Sequence, residues 1–378
     1  MMKCNYFELN LCKSCPLIET EYTNQLQNKQ HSLTQKLIDF KPEAILPPIA
    51  SHEFGFRNKA KMAVLGTVEK PILGITNHAK QTVDLCDCPL YPEAIKKALV
   101  NIKAFIKLLK LVPYNLNKKK GDIKFIILTH HENKFMLRFV LNNKDKIDKI
   151  KASITHLKQL IIGLEVISIN IQPVHAAILE GKEEIILTEQ ATFPVTLNAI
   201  PLFIRPQSFF QTNTLVASKL YATAKQWITQ INNCDSITTI WDLFCGVGGF
   251  GLHCTNQNQQ LTGIEISPEA IECAKKSAKL LALSNTTFRS LDSTEFALSQ
   301  QDRPDLVLVN PPRRGLGREL TTYLEKLSPQ YIIYSSCNSD TLTNDLQTLS
   351  SYSITKVQLF DMFPHTEHTE VLVMLKRH

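Results

Sequence analysis

Asp242-Leu243-Phe244-Cys245-Gly246-Val247-Gly248-Gly249-Phe250-Gly251 joins an apolar run, Ile240 to Phe244, to a stretch of helical character. Glycines at such a junction let the backbone turn sharply and let a ligand approach where a Cβ would otherwise stand. Glu265 follows 19 residues after Gly246, at the end of the next apolar run, Leu261 to Glu265. An acid there can accept both hydroxyls of a ribose. The alternation continues through Thr286 to Ser290, Leu306 to Val309 and Tyr331 to Ser335, with helical stretches between them. Strands alternating with helices predict an α/β fold, a parallel sheet covered on both faces. Taken alone, the loop also reads as a plain strand-turn-helix with structural glycines.

Ligands of such sheets bind at the carboxyl edge of the strands. Asn310-Pro311-Pro312-Arg313-Arg314-Gly315 falls there, after Leu306 to Val309. So does Cys337, which ends the run from Tyr331 and precedes Asn338 and Ser339, expected caps of a helix reaching about Leu349. A helix N-terminus favours a thiolate, so Cys337 is a candidate nucleophile; a buried, inert cysteine is the alternative. His365-Thr366-Glu367-His368-Thr369-Glu370 precedes a last apolar strand, Val371 to Leu375. The cluster can supply a proton acceptor, or a metal site on His365 and His368.

Outward from this half, the pattern is different. Residues Tyr22 to Phe40 have a helical spacing of Leu26, Leu33 and Leu37. Strands are expected at Lys61 to Leu65, Ile72 to Ile75, Lys124 to Leu128, Phe135 to Leu141, Glu165 to Gln172 and Glu184 to Thr188, with helices at Pro92 to Leu111 and Lys146 to Ile161. This region is mixed α+β, and the change comes after Arg205-Pro206. From Lys96 to Lys151 there are 15 Lys and Arg against 4 Asp and Glu, a net +11 in a chain whose total is +7. A concentrated positive region favours a polyanion, foremost nucleic acid, although a solvated helix face with a lysine-rich loop has the same composition. No apolar stretch is long enough to span a bilayer. Ten cysteines without a charged-then-apolar leader point to reduced thiols in a cytoplasmic protein.

The Asp242 to Gly251 loop with its later acid resembles the S-adenosylmethionine loop of class I methyltransferases. Together with Ser208-Phe209-Phe210-Gln211-Thr212-Asn213, Asn310-Pro311-Pro312-Arg313, Ser336-Cys337-Asn338 and His365 to Glu370, it resembles the RNA uracil-C5-methyltransferase family over nearly the whole chain. The resemblance implies that Gln211, Phe244, Glu265, Asp292 and Asn310 contact the cofactor, that Cys337 is the nucleophile and that Glu370 is the base, with Glu367 the competing carboxylate. The chemistry is consistent with those types. Carbon 5 of uracil attacks a methyl donor only after a thiolate adds to carbon 6, and a carboxylate must then remove the carbon 5 proton.

Cys4, Cys12 and Cys15, with 7 and then 2 residues between them, precede a distant Cys86 or Cys88. Four thiolates can hold a tetrahedral zinc or an iron-sulfur cluster, and structural cysteines without metal are the alternative. The family pattern implies Cys4, Cys12, Cys15 and Cys88 around a [4Fe-4S] cluster, with Cys86 a bystander. The expected organisation is a cysteine segment at 1–90 packed with a central α+β RNA-binding domain at 91–204, then a class I (Rossmann-like) methyltransferase domain at 205–378. The layout, without an added β-barrel, is most similar to the branch that modifies 23S rRNA at uridine 747; the implied enzyme is a monomer with no membrane or obligate protein partner. A tRNA uracil-C5-methyltransferase and an inactive, metal-stabilised RNA-binding protein are the rival readings. Phe209, Phe210, Arg313 and Arg314 are candidate platforms for the unstacked base.

Overall fold

The computed structural model describes residues 2–176, 178–232, 237–300 and 302–378, the side chain of residue 232 aside. They form two compact units, one of residues 2–15 and 53–193 and one of residues 16–52 and 194–378. The sequence groups 16–52 with the cysteine segment, whereas the fold gives them to the glycine-loop unit. The cause is the Tyr22–Leu37 helix, which buries Leu33 and Leu37 in one core with Trp241, Leu243 and Leu346. Each such leucine contributes about 2 kcal/mol.

In the unit of residues 2–15 and 53–193, the strands are β1 (Lys59–Gly66), β2 (Pro71–Thr76), β3 (Thr82–Asp84), β4 (Ile123–His131), β5 (Lys134–Leu141), β6 (Leu164–Ile171) and β7 (Glu183–Ile186). They form one sheet in the order β3-β2-β1-β4-β5-β6-β7, antiparallel except for β5 and β6. The Glu93–Leu108 helix buries Ile95, Leu99, Ile102 and Ile106, a 3.6-residue stripe, in the core beneath it. The helix expected over 146–161 is two, Ile147–Ala152 and Ile154–Leu160. Ser153 Oγ bonds the Lys149 carbonyl at the break, the local competition that serines offer a helix. Lys97, Lys107, Lys110 and Lys118 to Lys120 of the basic region are exposed.

After residues 16–52, the other unit resumes with a hairpin, β8 (Phe193–Leu197) and β9 (Ile200–Ile204), turned by Asn198 and Ala199 at φ 50° and 63°. Two left-handed residues in a two-residue turn suit the twist of the flanking strands. The main sheet contains β10 (Thr239–Leu243), β11 (Gln260–Glu265), β12 (Thr286–Ser290), β13 (Leu306–Val309), β14 (Tyr331–Ser336), β15 (Tyr352–Phe360) and β16 (Glu370–Arg377). Its order is β12-β11-β10-β13-β14-β16-β15. The first five are parallel, as their apolar runs predict, and β16 is antiparallel to both β14 and β15. Connections leave in opposite directions from β10 and β13, so a crevice opens at their carboxyl ends.

Candidate active site

Cys337 and Glu370 meet because of strand register. β14 and β16 pair Ser335 with Leu372 and Ser336 with Val371, the last pair of the ladder, and Cys337 and Glu370 lie at that same end, where the Glu370 charge acts on the thiol. Ser335 and Glu370 are diagonal neighbours across the pair and share a face. Ser335 Oγ donates to Glu370 Oε1 at 2.5 Å. Glu370 is only 2 % exposed, and burial pushes its carboxyl up to about 7 despite that hydrogen bond. Glu367, the competing carboxylate, is exposed.

The Cys337 thiol is half-buried, above its ordinary value because of burial and then the Glu370 charge. The Arg313 guanidinium opposes both, by charge and by a hydrogen bond to the sulfur. The helix N-terminus expected to favour the thiolate is present, with Asn338 capping Asp340 N at 3.0 Å, but burial outweighs it. Arg313 is held over the thiol from its carbonyl, which accepts from Asn338 Nδ2 at 3.3 Å and Thr341 Oγ1 at 3.2 Å.

The glycine loop has two kinds of glycine. A Cβ on Gly249 would stand 2.8 Å from the Tyr221 hydroxyl oxygen, and one on Gly251 2.8 Å from Asp242 Oδ2, so these two serve packing. A Cβ on Gly246, at φ 54°, would meet nothing within 4 Å. That open space is where a ligand can lie against the backbone. Glu265 borders it, accepting from Gly246 N at 3.2 Å and Ser267 N at 3.0 Å. Phe244, at φ 63°, donates its N–H to Ser293 Oγ at 3.1 Å, and Asn310 follows β13, whose Val309 pairs with Leu243. Phe244, Glu265, Asp292 and Asn310 therefore surround one edge. Asp292 also caps the Ser293–Ser299 helix, accepting from Thr294 N at 2.8 Å. Gln211 is buried just before the Thr214–Asn232 helix.

Sequence reading missed three residues here. Ile266 and Leu291 stand 70 % and 41 % exposed beside Glu265 and Asp292, and the backbone ties the two together through Leu291 N to Glu265 O at 3.1 Å. Such paired apolar side chains fit a heteroaromatic base; an apolar residue directly after the strand-ending acid was the available signal. Asp242 is the third. It is fully buried with Oδ1 unpartnered, and burial pushes it up to about 7. Ribose acceptor, apolar base seat and bare glycine backbone together suit a nucleoside cofactor such as S-adenosylmethionine.

A polar cavity of about 570 Å³ reaches Cys337 from the Tyr22–Leu37 helix, lined by Lys29, Lys36, Arg313, Cys337, Glu367 and His368 among others. The cofactor residues do not line it. His365 and His368 are not a joint ligand pair: His368 lines the cavity, while His365 is buried and engaged by Gln25. Of the base-platform candidates, Phe210 is buried and Phe209 is 75 % exposed.

In the other unit, Cys4, Cys12, Cys15 and Cys88 line one cavity of about 170 Å³, together with Arg57 and Tyr91. Burial and then Cys88, Cys12 and Cys4 push the Cys15 thiol up to about 12, the mutual repulsion of a sulfur set that a cation would relieve. Cys86 lies outside that lining, hydrogen-bonded to Asp84. All are free thiols, and among the described residues no group of three or more His, Cys, Asp or Glu side chains is placed to hold a metal ion, so the expected cluster set is not seen assembled. No helix among the described residues is long and apolar enough to cross a membrane.

A family model described as tRNA (Uracil-5-)-methyltransferase matches residues 21–378. The chain is 51 % identical over 380 residues to the 23S rRNA (uracil(747)-C(5))-methyltransferase RlmC of Photorhabdus laumondii, covering 99 % of each. It is 50 % identical to the protein of the same description in Pectobacterium carotovorum, covering all of both chains. Among solved structures it resembles the Pyrococcus abyssi tRNA (uracil-54, C5)-methyltransferase in complex with S-adenosyl-L-homocysteine, with a TM-score of 0.76 and 25 % identity over 96 % of this chain and 85 % of that one.

Proposed function

The chain belongs to the tRNA (uracil-5-)-methyltransferase family, and from that premise we propose that it methylates carbon 5 of uridine 747 in 23S rRNA, using S-adenosylmethionine. The single observation that supports the chemistry is the pairing of β14 with β16, at one end of which Cys337 and the buried Glu370 come together. Full-length identity of about half to the 23S rRNA enzymes supports rRNA over tRNA as substrate.

Arg313 draws the Cys337 thiol toward its thiolate, against burial and Glu370. The sulfur adds to carbon 6 of the uracil, and the electron pair of the 5,6 double bond moves onto carbon 5 and oxygen 4. Bound S-adenosylmethionine supplies an electrophilic methyl group for that carbon. Glu370 takes the carbon 5 proton, the electron pair of the C–H bond restores the double bond, and the carbon–sulfur bond breaks to free the thiolate. When S-adenosylmethionine is bound, Glu265 would receive the ribose hydroxyls, Phe244, Ile266 and Leu291 would enclose the base, and Gln211 and Asn310 would complete the cofactor contacts, with Asp292 beside them. The uridine has to leave its stack to reach Cys337, and the exposed Phe209 and the arginines after Pro312 are the available platforms.

In the other unit, Cys4, Cys12, Cys15 and Cys88, which line one cavity, would hold a [4Fe-4S] cluster. With the exposed lysines of the same unit, it would shape an RNA surface. The enzyme acts as a cytoplasmic monomer.

The test is covalent trapping. RNA with 5-fluorouridine at the target cannot lose a carbon 5 proton, so the parent enzyme is expected to form an adduct stable to denaturation and Cys337→Ala none. Mass mapping of 23S rRNA and tRNA from cells with and without the gene locates the product. 5-Methyluridine lost from tRNA alone overturns the rRNA assignment.

A further inference from the structure

The connection from β15 to β16, Asp361 to Thr369, ends directly at Glu370. At nine residues it is too long for a hairpin turn that sets its own shape. Its shape is imposed by the polar face of the Tyr22–Leu37 helix, where Gln25 and Lys29 are buried at 1 % and 6 % exposure. Gln25 Oε1 accepts from His365 N at 2.9 Å, and His365 O accepts from Leu17 N at 3.0 Å, which fixes the apex, where His365 is left-handed at φ 64°.

Lys29 fixes both ends. Its Nζ donates to Asp361 Oδ1 at 2.7 Å, Phe363 O at 3.3 Å and His368 O at 3.2 Å. Those three acceptors match the three donors of an ammonium, which has no acceptor of its own. They run from the residue after β15 to the second residue before Glu370. Asp361, fully buried, accepts on its other oxygen from the Tyr22 hydroxyl at 2.8 Å, and that hydroxyl in turn accepts from Ser51 N at 2.8 Å. A buried ion pair is weak as a source of stability compared with apolar packing, so its use here needs another reason. Directional bonds to backbone carbonyls supply one: they hold a carbonyl at a place, which apolar contacts do not.

We propose that Lys29 is a positioning residue for the reaction: through Asp361 and the Phe363 and His368 carbonyls it sets the β15–β16 connection so that the Glu370 carboxylate faces carbon 5 of the target uridine. The proposal rests on the reading of Glu370 as the base. A misplaced base impairs the step after methyl transfer and leaves the earlier steps intact. The methylated uridine then stays joined to Cys337 while it waits for proton removal.

The experiment uses the full-length chain and a 23S rRNA fragment with an unmodified target uridine. Lys29→Met is expected to lower steady-state turnover at least about tenfold, as a displaced reacting group does, with KM falling alongside it so that kcat/KM is nearly kept, and single-turnover methyl transfer within a few-fold of the parent. A methylated protein–RNA adduct should accumulate. Lys29→Arg keeps the charge but presents a planar fork, so it should restore part of the elimination rate. Loss of methyl transfer and turnover together without adduct, or turnover equal to the parent, overturns the proposal. If Lys29→Met does not fold, Lys29→Arg and Asp361→Asn are read by the same criteria. Glu370→Gln separates the two claims: if it too accumulates no adduct, the base assignment fails; if it accumulates adduct and the Lys29 variants do not, the positioning role fails.

Discussion

Ser335, two residues before Cys337, donates its hydroxyl hydrogen to Glu370 Oε1. The bond favours the ionised carboxylate, opposing a burial that pushes Glu370 up to about 7. A base must be ionised, so turnover limited by elimination should rise with pH through about 7. Ser335→Ala removes the opposing bond and should move that limb to higher pH. A pH–rate profile checks it; an unmoved limb would separate the titration from Glu370.

The same shift acts on stability. Folding raises Glu370 from 4.5 to about 7, so its unfavourable contribution is absent below 4.5 and complete once pH has passed 7. Glu370→Gln should therefore melt above the parent at pH 8 and lose that advantage at pH 4, a difference of at most about 3 kcal/mol. Melting curves at the two pH values decide it.

Two loop glycines should respond in opposite ways. Gly251→Ala puts a Cβ 2.8 Å from Asp242 Oδ2 and should cost about 1–3 kcal/mol of stability through overpacking. Gly246→Ala meets no protein atom, pays only about 1 kcal/mol for its left-handed φ, and should instead weaken S-adenosylhomocysteine binding. Thermal melts and titration calorimetry separate the effects. Unaltered binding by Gly246→Ala would move the cofactor away from the loop.

The cysteine cavity makes a selective prediction. After anaerobic purification, Cys88→Ser should lose iron and visible colour, while Cys86→Ser, outside the cavity lining, should keep both. A colourless parent protein with one equivalent of zinc would replace the cluster with a single ion.

What the sequence disclosed depended on how each residue is used. Parallel strands buried on both faces are largely apolar runs, so β10, β11, β13 and β14 were legible, and with them Phe244, Glu265, Asn310 and Cys337 at their ends; the edge strand β12, with only Phe288 buried, was legible from the strand-helix alternation instead. β15 was not foreseen, since Ser353, Thr355, Lys356 and Gln358 interrupt its apolar residues. The Tyr22–Leu37 helix was foreseen, its inward face only in part. Leu33 and Leu37 were read inward, but Leu26 is half-buried, and Gln25 and Lys29 take the inward positions. Polar side chains at those positions look like a solvated face until their acceptors, distant in sequence, are known. Asp242 was hidden for the same reason. An acid in a glycine loop gives no sign that one of its oxygens is sealed from water.

The insertion of β16 between β14 and β15 has a consequence for biosynthesis. While the ribosome is still translating, the outer edge of β14 has no neighbour, and β15 has no sheet to join until Glu370 to Arg377 clears the exit tunnel. At roughly 5–20 residues per second, the nascent chain spends seconds with Cys337 made but its base not yet made. A truncated product therefore cannot capture RNA and release it, because completing the sheet and completing the catalyst are one event.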